Sequence, residues 1–345
     1  MKIERARLLL ACVSTCALTS TAHAADWPMV QGTEAPDAPA VRPFGVVQVT
    51  ASPRPTVRRA RPGLRGALPG TDGRVSYYLT AELGTAPIAR DGPTLADASI
   101  TLGYIPGARV RIGQFRLPLM DEGVESNAQA AEWINLSLPA SALVMEDPVR
   151  NGRFSGGASG FRDVGVEVFD TYQRGHVALS YALALSNGQR RSFDANDTKD
   201  ITARTTASWV FSGDVTDPHR QELSLFAWGQ RGERTLDGVP TQRIRSGVGV
   251  HLEKEPLRVR AELVHASGAL SVGQRAIGGT VQARARVFGR ARVGLRYDAV
   301  RASKSLAPML EYDVVPRVRL QATYEKRWLS LPDGDRLGAQ VTVIF

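Results

Sequence analysis

Residues 177–186 read VALSYALALS, and this stretch decides the fold. Large apolar residues stand at the odd positions from 177 to 185, and alanine or serine stands between them. A repeat of two is the period of a β-strand, whose side chains point alternately to opposite faces, whereas an amphipathic helix repeats every 3.6 residues or so. The stretch therefore predicts a strand with one bulky apolar face and one face of small or polar side chains.

The same alternation recurs through most of the chain. Residues 75–83, 281–287 and 337–345 each place apolar side chains at every second position, with polar side chains between them. Extending this pattern predicts fourteen strands, at 74–83, 94–105, 108–117, 162–170, 176–186, 201–211, 221–231, 243–253, 257–266, 276–288, 290–301, 307–314, 317–328 and 336–345.

The predicted strands are about ten residues long, which is the length that crosses a bilayer at a tilt. No helical segment is predicted to cover either face of the strands. The prediction is therefore an all-β fold, a closed antiparallel transmembrane β-barrel over residues 74–345, with apolar side chains toward lipid. Short and long connections alternate, as the periplasmic turns and outer loops of such barrels do. The alternation places both ends of the barrel on the periplasmic side, which requires an even number of strands, and the count is 14. Sixteen is the alternative, if Phe44–Val49 also spans and a further weak strand is hidden in a loop.

The N-terminal segments carry a different composition. Residues 1–24 have basic residues, then an apolar stretch from Leu8 to Leu18, then the small-x-small sequence Ala22-His23-Ala24. This order predicts a cleaved signal peptide, hence export through the periplasm to the cell outer membrane; a buried N-terminal helix is the alternative. Residues 25–73 are rich in proline, arginine and glycine, and they predict a mostly irregular N-terminal extension.

Composition excludes several classes of protein. Of the 345 residues, 43% are hydrophobic, too few for a helical membrane protein, and both cysteines lie within the first 16 residues. No metal site, cofactor or nucleic-acid partner is predicted. The histidines form no catalytic motif, so the chain is predicted not to be an enzyme. The alternative is an outer-membrane barrel hydrolase, because His251 and Glu253 share the polar phase of one strand.

Arginine dominates the polar phase of the predicted strands. The chain has 43 Lys and Arg against 34 Asp and Glu, a net charge of +9, and only five of the cations are lysine. Guanidinium groups attract anions and offer paired donors that match phosphate and carboxylate. The predicted anion path along the lumen comprises Arg111, Arg116, Arg150, Arg153, Arg204, Arg245, Arg258, Arg260, Arg284, Arg286, Arg292, Arg296, Arg317 and Arg319.

This arginine phase predicts passive diffusion of small anions, with phosphate among the candidates. At a separation of about 5 Å, one arginine attracts an anion by ~0.8 kcal/mol in water and by ~3 kcal/mol at an effective dielectric constant of 20. Contacts of this size hold an ion weakly and allow it to move on. In the alternative, the inward arginines pair with inward acids as structural ion pairs, and the barrel is a weakly selective general diffusion pore.

The connection 118–161 is far longer than the others in the predicted barrel. A connection of this length usually has a function, and in porins it folds inward and narrows the pore. Arg150 and Arg153 would bring positive charge to this constriction loop, and Trp133 and Ile134 would pack it in place. An exposed surface loop is the alternative.

Two stretches resemble a known family. Residues 111–119, RIGQFRLPL, resemble the Gly-Gln-Phe-Lys-x-Pro-Phe strand end of the phosphate-selective porin O and P family, and 162–167, RDVGVE, with 181–188 resemble its next hairpin. The resemblance covers about 80 residues. It implies an anion-preferring homotrimer in outer-membrane lipid and lipopolysaccharide, usually of 16 strands, with basic residues at the constriction. Arg116 stands where the family commonly has lysine, and Leu119 and Met120 replace its Phe-Gly. Phe345 resembles the C-terminal aromatic residue of outer-membrane barrels.

Overall fold

The computed structural model describes residues 33–52, 54–85, 92–125, 133–145, 161–188, 198–214, 217, 220–236, 239–268, 274–328 and 334–345. Within these residues, sixteen strands form one closed barrel. The strands are β1 Arg42–Ala51, β2 Pro55–Ala67, β3 Val75–Glu82, β4 Thr94–Ile105, β5 Ala108–Arg116, β6 Arg162–Arg174, β7 Val177–Ser186, β8 Asp200–Ser212, β9 Gln221–Leu236, β10 Val239–Lys254, β11 Leu257–Ser267, β12 Arg275–Phe288, β13 Ala291–Val300, β14 Ser303–Val315, β15 Val318–Trp328 and β16 Arg336–Ile344.

Every strand pairs antiparallel with its neighbours in sequence, and β1 closes the barrel against β16, from Val46 opposite Ile344 to Ala51 opposite Ala339. The closure extends to the C-terminus, because the Gly45 N–H donates to the Phe345 carbonyl at 2.8 Å and the Gly45 carbonyl accepts from the Phe345 N–H at 3.1 Å. A Cβ at Gly45 would lie 2.4 Å from the Phe345 ring, so only glycine lets the ring lie here. Closure leaves no sheet edge, which a strand structure in lipid requires.

The all-β closed barrel is confirmed, and so is the alternative count of 16; the primary count of 14 was wrong. The two additional strands are β1, which contains Phe44–Val49, and β2. Both lie in the segment 25–73 that was predicted to be a mostly irregular extension, so the barrel begins at Arg42. Proline normally argues against a strand because it donates no ladder hydrogen bond, and β2 contains Pro55 and Pro62. The predicted signal peptide, residues 1–24, lies outside the described residues.

Burial alternates along the strands with the predicted phase. On β9, Leu225 is 62% exposed on the outside, whereas its neighbours Ser224 and Phe226 are 3% and 5% exposed inside the barrel. On β7 and β8 the alternation continues without a break for ten residues or more. The large apolar residues therefore cover the outer surface, and most polar and charged residues of the strands face the lumen. No helix among the described residues is long and apolar enough to cross a membrane.

The two ends of the barrel differ. At one end, here called the turn end, β4–β5, β6–β7, β10–β11 and β12–β13 are each joined by two residues. The opposite end, here called the loop end, carries the connection from β5 to β6, residues 117–161. In outer-membrane barrels the short turns face the periplasm and the long loops face outward.

Candidate functional site

The long connection between β5 and β6 folds into the barrel. Its described parts, 117–125 and 133–145, are called the inner loop; they contain the short helix α1, Asp121–Glu125, and a π-helical turn, Ala140–Val144. Leu143 of this turn is fully buried, in one apolar cluster with lumen residues such as Phe226 and Val264. The predicted inward-folding loop is confirmed.

Charged side chains of β8 and β11 hold α1 against the barrel wall. The Asp121 carboxylate accepts a hydrogen bond from Arg204 Nη2 at 3.1 Å, and its other oxygen lies 3.3 Å from Arg260 Nε. The Asp121 backbone N–H donates to Glu262 at 3.0 Å, and Glu262 also accepts from Trp228 Nε1 at 2.6 Å. Two arginines of the predicted anion path therefore hold the loop through one buried carboxylate.

Two more arginines of the predicted path bind the backbone of the inner loop. Arg296 Nη1 donates to the Asn135 carbonyl at 2.9 Å, while its Nε lies 3.1 Å from Asp298. Asp298 in turn accepts the Leu138 N–H at 3.2 Å. Arg245 Nη1 donates to the Val144 carbonyl at 2.5 Å. Arg245 and Arg296 are 3% and 1% exposed, so in this structure their guanidinium groups bind the inner loop with little contact to solvent.

The inner loop crosses the lumen as far as β14–β16. Trp133 Nε1 donates to the Ala307 carbonyl at 3.0 Å, and the Trp133 ring packs with Ala307 and Met309. Ile134 lies close enough to Gly338 on β16 that a Cβ there would be 3.3 Å from its Cδ1. The second described part of the inner loop is therefore held by β14 and lies close to β16.

A third set of arginines lies near the turn end, on β12–β15, and pairs with two acids. Arg284 and Arg292 lie 3.3 and 2.9 Å from the same Glu311 oxygen. Arg319 lies 3.2 Å from Asp313, which also binds Arg292. Glu311 is 3% exposed, so this group is a compact network of three cations and two anions.

Three more arginines of the prediction, Arg111, Arg286 and Arg317, lie apart from these sets. Arg111 is fully buried against Glu167 at 2.9 Å, and Arg286 pairs with Glu255 at 2.7 Å on the exposed turn end. Arg317 lies at the β14–β15 turn and is half-buried. Arg150 and Arg153 lie outside the described residues.

The pair singled out for the hydrolase alternative lies beside the inner loop. His251 Nε2 is 3.4 Å from Glu253 Oε2, and Arg258 Nε is 3.4 Å from the same His251 nitrogen. His251 Nδ1 faces Asp121 at 3.8 Å. Arg258 also pairs with Glu253. These groups form a continuous chain of polar contacts from β10 and β11 to the inner loop.

On the wall formed by β2–β6, five arginines lie together: Arg58, Arg59, Arg61, Arg116 and Arg162. We call them the arginine cluster. Two carboxylates accompany it, and each is bound to one arginine. Arg162 binds Asp97 through two parallel hydrogen bonds of 2.8 and 2.9 Å, and Arg61 binds Glu82 at 2.8 and 2.9 Å. Within the described residues, these arginines therefore bind the carboxylates of Asp97 and Glu82.

The other members of the cluster bind neutral groups or none. Arg59 Nη1 donates to Gln48 Oε1 at 2.8 Å, and Arg58 Nη1 donates to Asn135 Oδ1 of the inner loop at 3.3 Å. Arg116 is 5% exposed, and its Nε and Nη1 have no hydrogen-bond partner among the described residues. Arg116 stands directly opposite Arg162 in the β5–β6 register and interacts electrostatically with Arg61. The cluster is a buried excess of positive charge beside the inner loop.

Of this cluster, the predicted anion path included only Arg116. Arg58, Arg59 and Arg61 were missed because their segment was predicted to be irregular. A usable signal was present. Arg59, Arg61 and Arg65 all stand at odd positions, and apolar residues, among them the outward-facing Leu64, stand at the even positions between them. A bulge between Gln48 and Val49 of β1 shifts the register there. Arg58 therefore falls outside the alternation, and the run of arginines resembles an irregular segment.

One carboxyl group of the inner loop is electrostatically perturbed. Burial raises the pKa of Glu122, although Arg296 and hydrogen bonds from Ser137 oppose the rise. The Ser137 hydroxyl donates to Glu122 at 2.6 Å, and the Ser137 N–H lies 3.1 Å from the other carboxylate oxygen. Glu122 thus ties α1 to the second described part of the inner loop.

No protein-family model matches the sequence, and no curated protein matches it. Solved structures do match. An anion-selective porin from Comamonas acidovorans shares 15% identity over 88% of this chain and 99% of its own, with a TM-score of 0.61. OmpF of Salmonella typhi, in complex with daunomycin, shares 11% identity over 88% and 97%, with a TM-score of 0.61. The outer membrane channel DcaP of Acinetobacter baumannii shares 14% over 88% and 97%, with a TM-score of 0.58. The chain therefore has the fold of outer-membrane porins.

Proposed function

We propose that this protein is an outer-membrane channel for the passive diffusion of small anions. The observation that carries the proposal is the arginine cluster, in which five guanidinium groups lie together beside the inner loop and Arg116 has two nitrogens without a hydrogen-bond partner among the described residues. A fixed excess of positive charge at a narrowing attracts anions and repels cations. Arg116 supports the proposal most directly, since its buried guanidinium has two nitrogens without a hydrogen-bond partner among the described residues and adds its charge to those of Arg61 and Arg162.

The relatives in fold support the same proposal. One of them is an anion-selective porin and another is an outer membrane channel, and both are covered almost completely by this chain. Outward-facing apolar residues and the closed barrel suit residence in the outer membrane. Export by a signal peptide cleaved after residue 24, assembly as a homotrimer and the absence of enzymatic activity belong to this proposal.

Phosphate is the anion we propose as a preferred substrate. Arg116 lies in the segment that resembles the phosphate-selective porin O and P family, and we propose membership of that family on this ground. Guanidinium groups bind phosphate oxygens through parallel hydrogen bonds, and they stay charged at neutral pH. Arg59 and Arg116 interact electrostatically, so one phosphate could be attracted by both.

A weakly selective general diffusion pore is the second candidate. It is favoured by the ion pairs on the other wall, where Arg284, Arg292 and Arg319 are balanced by Glu311 and Asp313. Paired charges cancel at a distance of a few ångströms, so they add little to selectivity. The two candidates therefore differ in how far the arginine cluster dominates the field in the lumen.

Reconstitution in a planar bilayer under a gradient of potassium chloride tests these candidates. An anion-selective channel gives a reversal potential displaced toward the equilibrium potential of chloride, and a general pore gives a reversal potential near zero. Adding inorganic phosphate should then reduce the chloride current if phosphate binds in the lumen. A reversal potential that favours potassium would contradict the anion proposal. An unreduced chloride current would remove phosphate while leaving the anion channel in place.

A further inference from the structure

The outer wall of the barrel carries an apolar groove of about 730 Å³ on β9–β13. Its floor is made of small residues on three neighbouring strands, Ala261, Gly279 and Ala299, and its sides are made of large apolar residues such as Leu263 and Ile277. Ile277 is 65% exposed and Leu263 is 60% exposed, so the sides stand well out from the floor. The groove is a concave surface in a wall that otherwise faces hydrocarbon.

Glycine at position 279 is what opens the floor. A Cβ at this position would lie 3.0 Å from Leu263 Cδ2 and 3.6 Å from the Glu262 carbonyl, so a side chain would occupy the groove. Gly279 stands opposite Leu263 on β11 and opposite Ala299 on β13. The depression therefore spans the width of three strands, which suits a long flexible chain rather than a compact ligand.

Basic residues stand at the loop end of this groove. Arg301 lines it, and the Arg301 guanidinium donates to Gln274 Oε1 at 2.8 Å and to the Arg275 carbonyl at 3.4 Å. Arg275 and Lys304 are exposed on the adjoining strands. Residues 263–277 and 299–310 contain no aspartate or glutamate. The groove is thus apolar along its length and cationic at one end.

We infer that the groove binds the lipid A of lipopolysaccharide, with one acyl chain on the apolar floor and a phosphate group at Arg275 and Arg301. The inference rests on the proposed function, since it needs the loop end to face the outer leaflet. Positively charged residues beside an apolar surface bind anionic lipids through both the chain and the headgroup. An acyl chain fits the apolar groove, and the basic rim complements a phosphorylated headgroup.

Native mass spectrometry of the full-length protein in detergent, titrated with bisphosphorylated lipid A, tests the inference. We expect one lipid A per chain to be retained in preference to dephosphorylated lipid A, phosphatidylglycerol and phosphatidylethanolamine. The double variant Arg275→Gln/Arg301→Gln should weaken retention by at least about tenfold, because each charge near an anionic headgroup contributes attraction. Gly279→Leu, or Ala299→Leu should the first variant fail to fold, fills the floor and should weaken retention similarly.

Two control variants match these changes elsewhere on the outer surface. Arg174→Gln removes an exposed arginine at the turn end, and Ala339→Leu adds the same side chain on β16. Both should retain lipid A like the unchanged protein. Equal retention by all variants, or equal binding of dephosphorylated lipid A, would overturn the inference. A change of oligomer mass in Gly279→Leu without a change of lipid binding would also overturn it, because the groove would then bind a second copy. Anion selectivity in the bilayer is unaffected by either result, so the proposed function is tested separately.

Discussion

Two walls of the lumen use the same side chain in different ways. On the wall formed by β8–β15, arginines such as Arg204, Arg260 and Arg296 bind carboxylates or the backbone of the inner loop, and their charge is balanced locally. On the opposite wall, Arg116 forms no ion pair with a carboxylate among the described residues; it interacts electrostatically with the cations Arg162 and Arg61 as well as with Asp97. An arginine whose charge is balanced by a carboxylate holds the inner loop or a strand in place, whereas an arginine without such a partner contributes to the electrostatic field in the lumen. The number of lumen arginines is therefore a poor guide to selectivity, and the carboxylates beside them decide what each one does.

The largest effect is expected when Asp121 is replaced, because this inner-loop residue balances two arginines of the β8–β15 wall. The substitution Asp121→Ala leaves Arg204 and Arg260 buried without their shared carboxylate, which typically costs about 3 kcal/mol or more. The barrel should unfold at a lower urea concentration, and single-channel conductance should change because α1 is no longer held against the wall. The matched control is Glu255→Ala, whose ion pair with Arg286 is exposed and should contribute less than about 1 kcal/mol. If Asp121→Ala kept the parental conductance and urea midpoint, Asp121 would not hold the loop.

A smaller effect is expected where the inner loop is held by a neutral contact. Trp133→Phe keeps the ring between Ala307 and Met309 but removes the 3.0 Å hydrogen bond to the Ala307 carbonyl. The cost should be about 1 kcal/mol in urea unfolding, the usual net value of one buried hydrogen bond. Trp209→Phe, on the exposed outer face of β8, is the control and should leave the conductance unchanged. A larger loss at Trp209 than at Trp133 would contradict this account of the loop.

Measuring ion selectivity in variants of each wall tests the difference between the walls directly. Arg116→Gln and Arg284→Gln each remove one positive charge from the lumen, but within the described residues only Arg284 forms an ion pair with a carboxylate, Glu311, at 3.3 Å, whereas Arg116 interacts with Asp97 at longer range. An unbalanced charge contributes about 0.8 kcal/mol to anion attraction at 5 Å in water, so Arg116→Gln should lower the anion-to-cation permeability ratio about fourfold. Arg284→Gln should change the reversal potential less. Equal shifts in the two variants would mean that total lumen charge, rather than local balance, sets selectivity.

The contrast between the walls also explains what the sequence could predict. Period-two alternation located β3–β16, because apolar and polar faces stay in phase over whole strands there. It missed β2, where Pro55, Pro62 and the register shift opposite Gln48 disturb the repeat. The length of the connection after β5 predicted an inward loop, but no local pattern shows that Asp121 meets Arg204 and Arg260. Such pairs join residues more than 80 positions apart, so only the closed barrel brings them together.

The smallest expected effect concerns pH and the inner loop. Because burial raises the pKa of Glu122, the folded protein binds this proton more tightly than the unfolded chain does. The resulting stability is fully present below the ordinary glutamate pKa and is lost as pH rises through the raised value. Urea midpoints should therefore fall modestly as pH rises above the ordinary glutamate pKa of about 4.3, and Glu122→Gln should remove that part of the slope.

Asp335 provides the opposite sign as a control. A hydrogen bond from the Tyr324 hydroxyl, with others from the Arg327 N–H and the Lys326 ammonium, lowers the pKa of Asp335 to about 2. Its contribution is present above the ordinary aspartate pKa and is lost only in stronger acid, so Asp335→Asn should leave the slope between about pH 5 and pH 8 unchanged. If Glu122→Gln and Asp335→Asn altered this slope equally, the pH dependence of stability would not come from Glu122. The contacts of the inner loop with the β8–β15 wall would then be independent of pH.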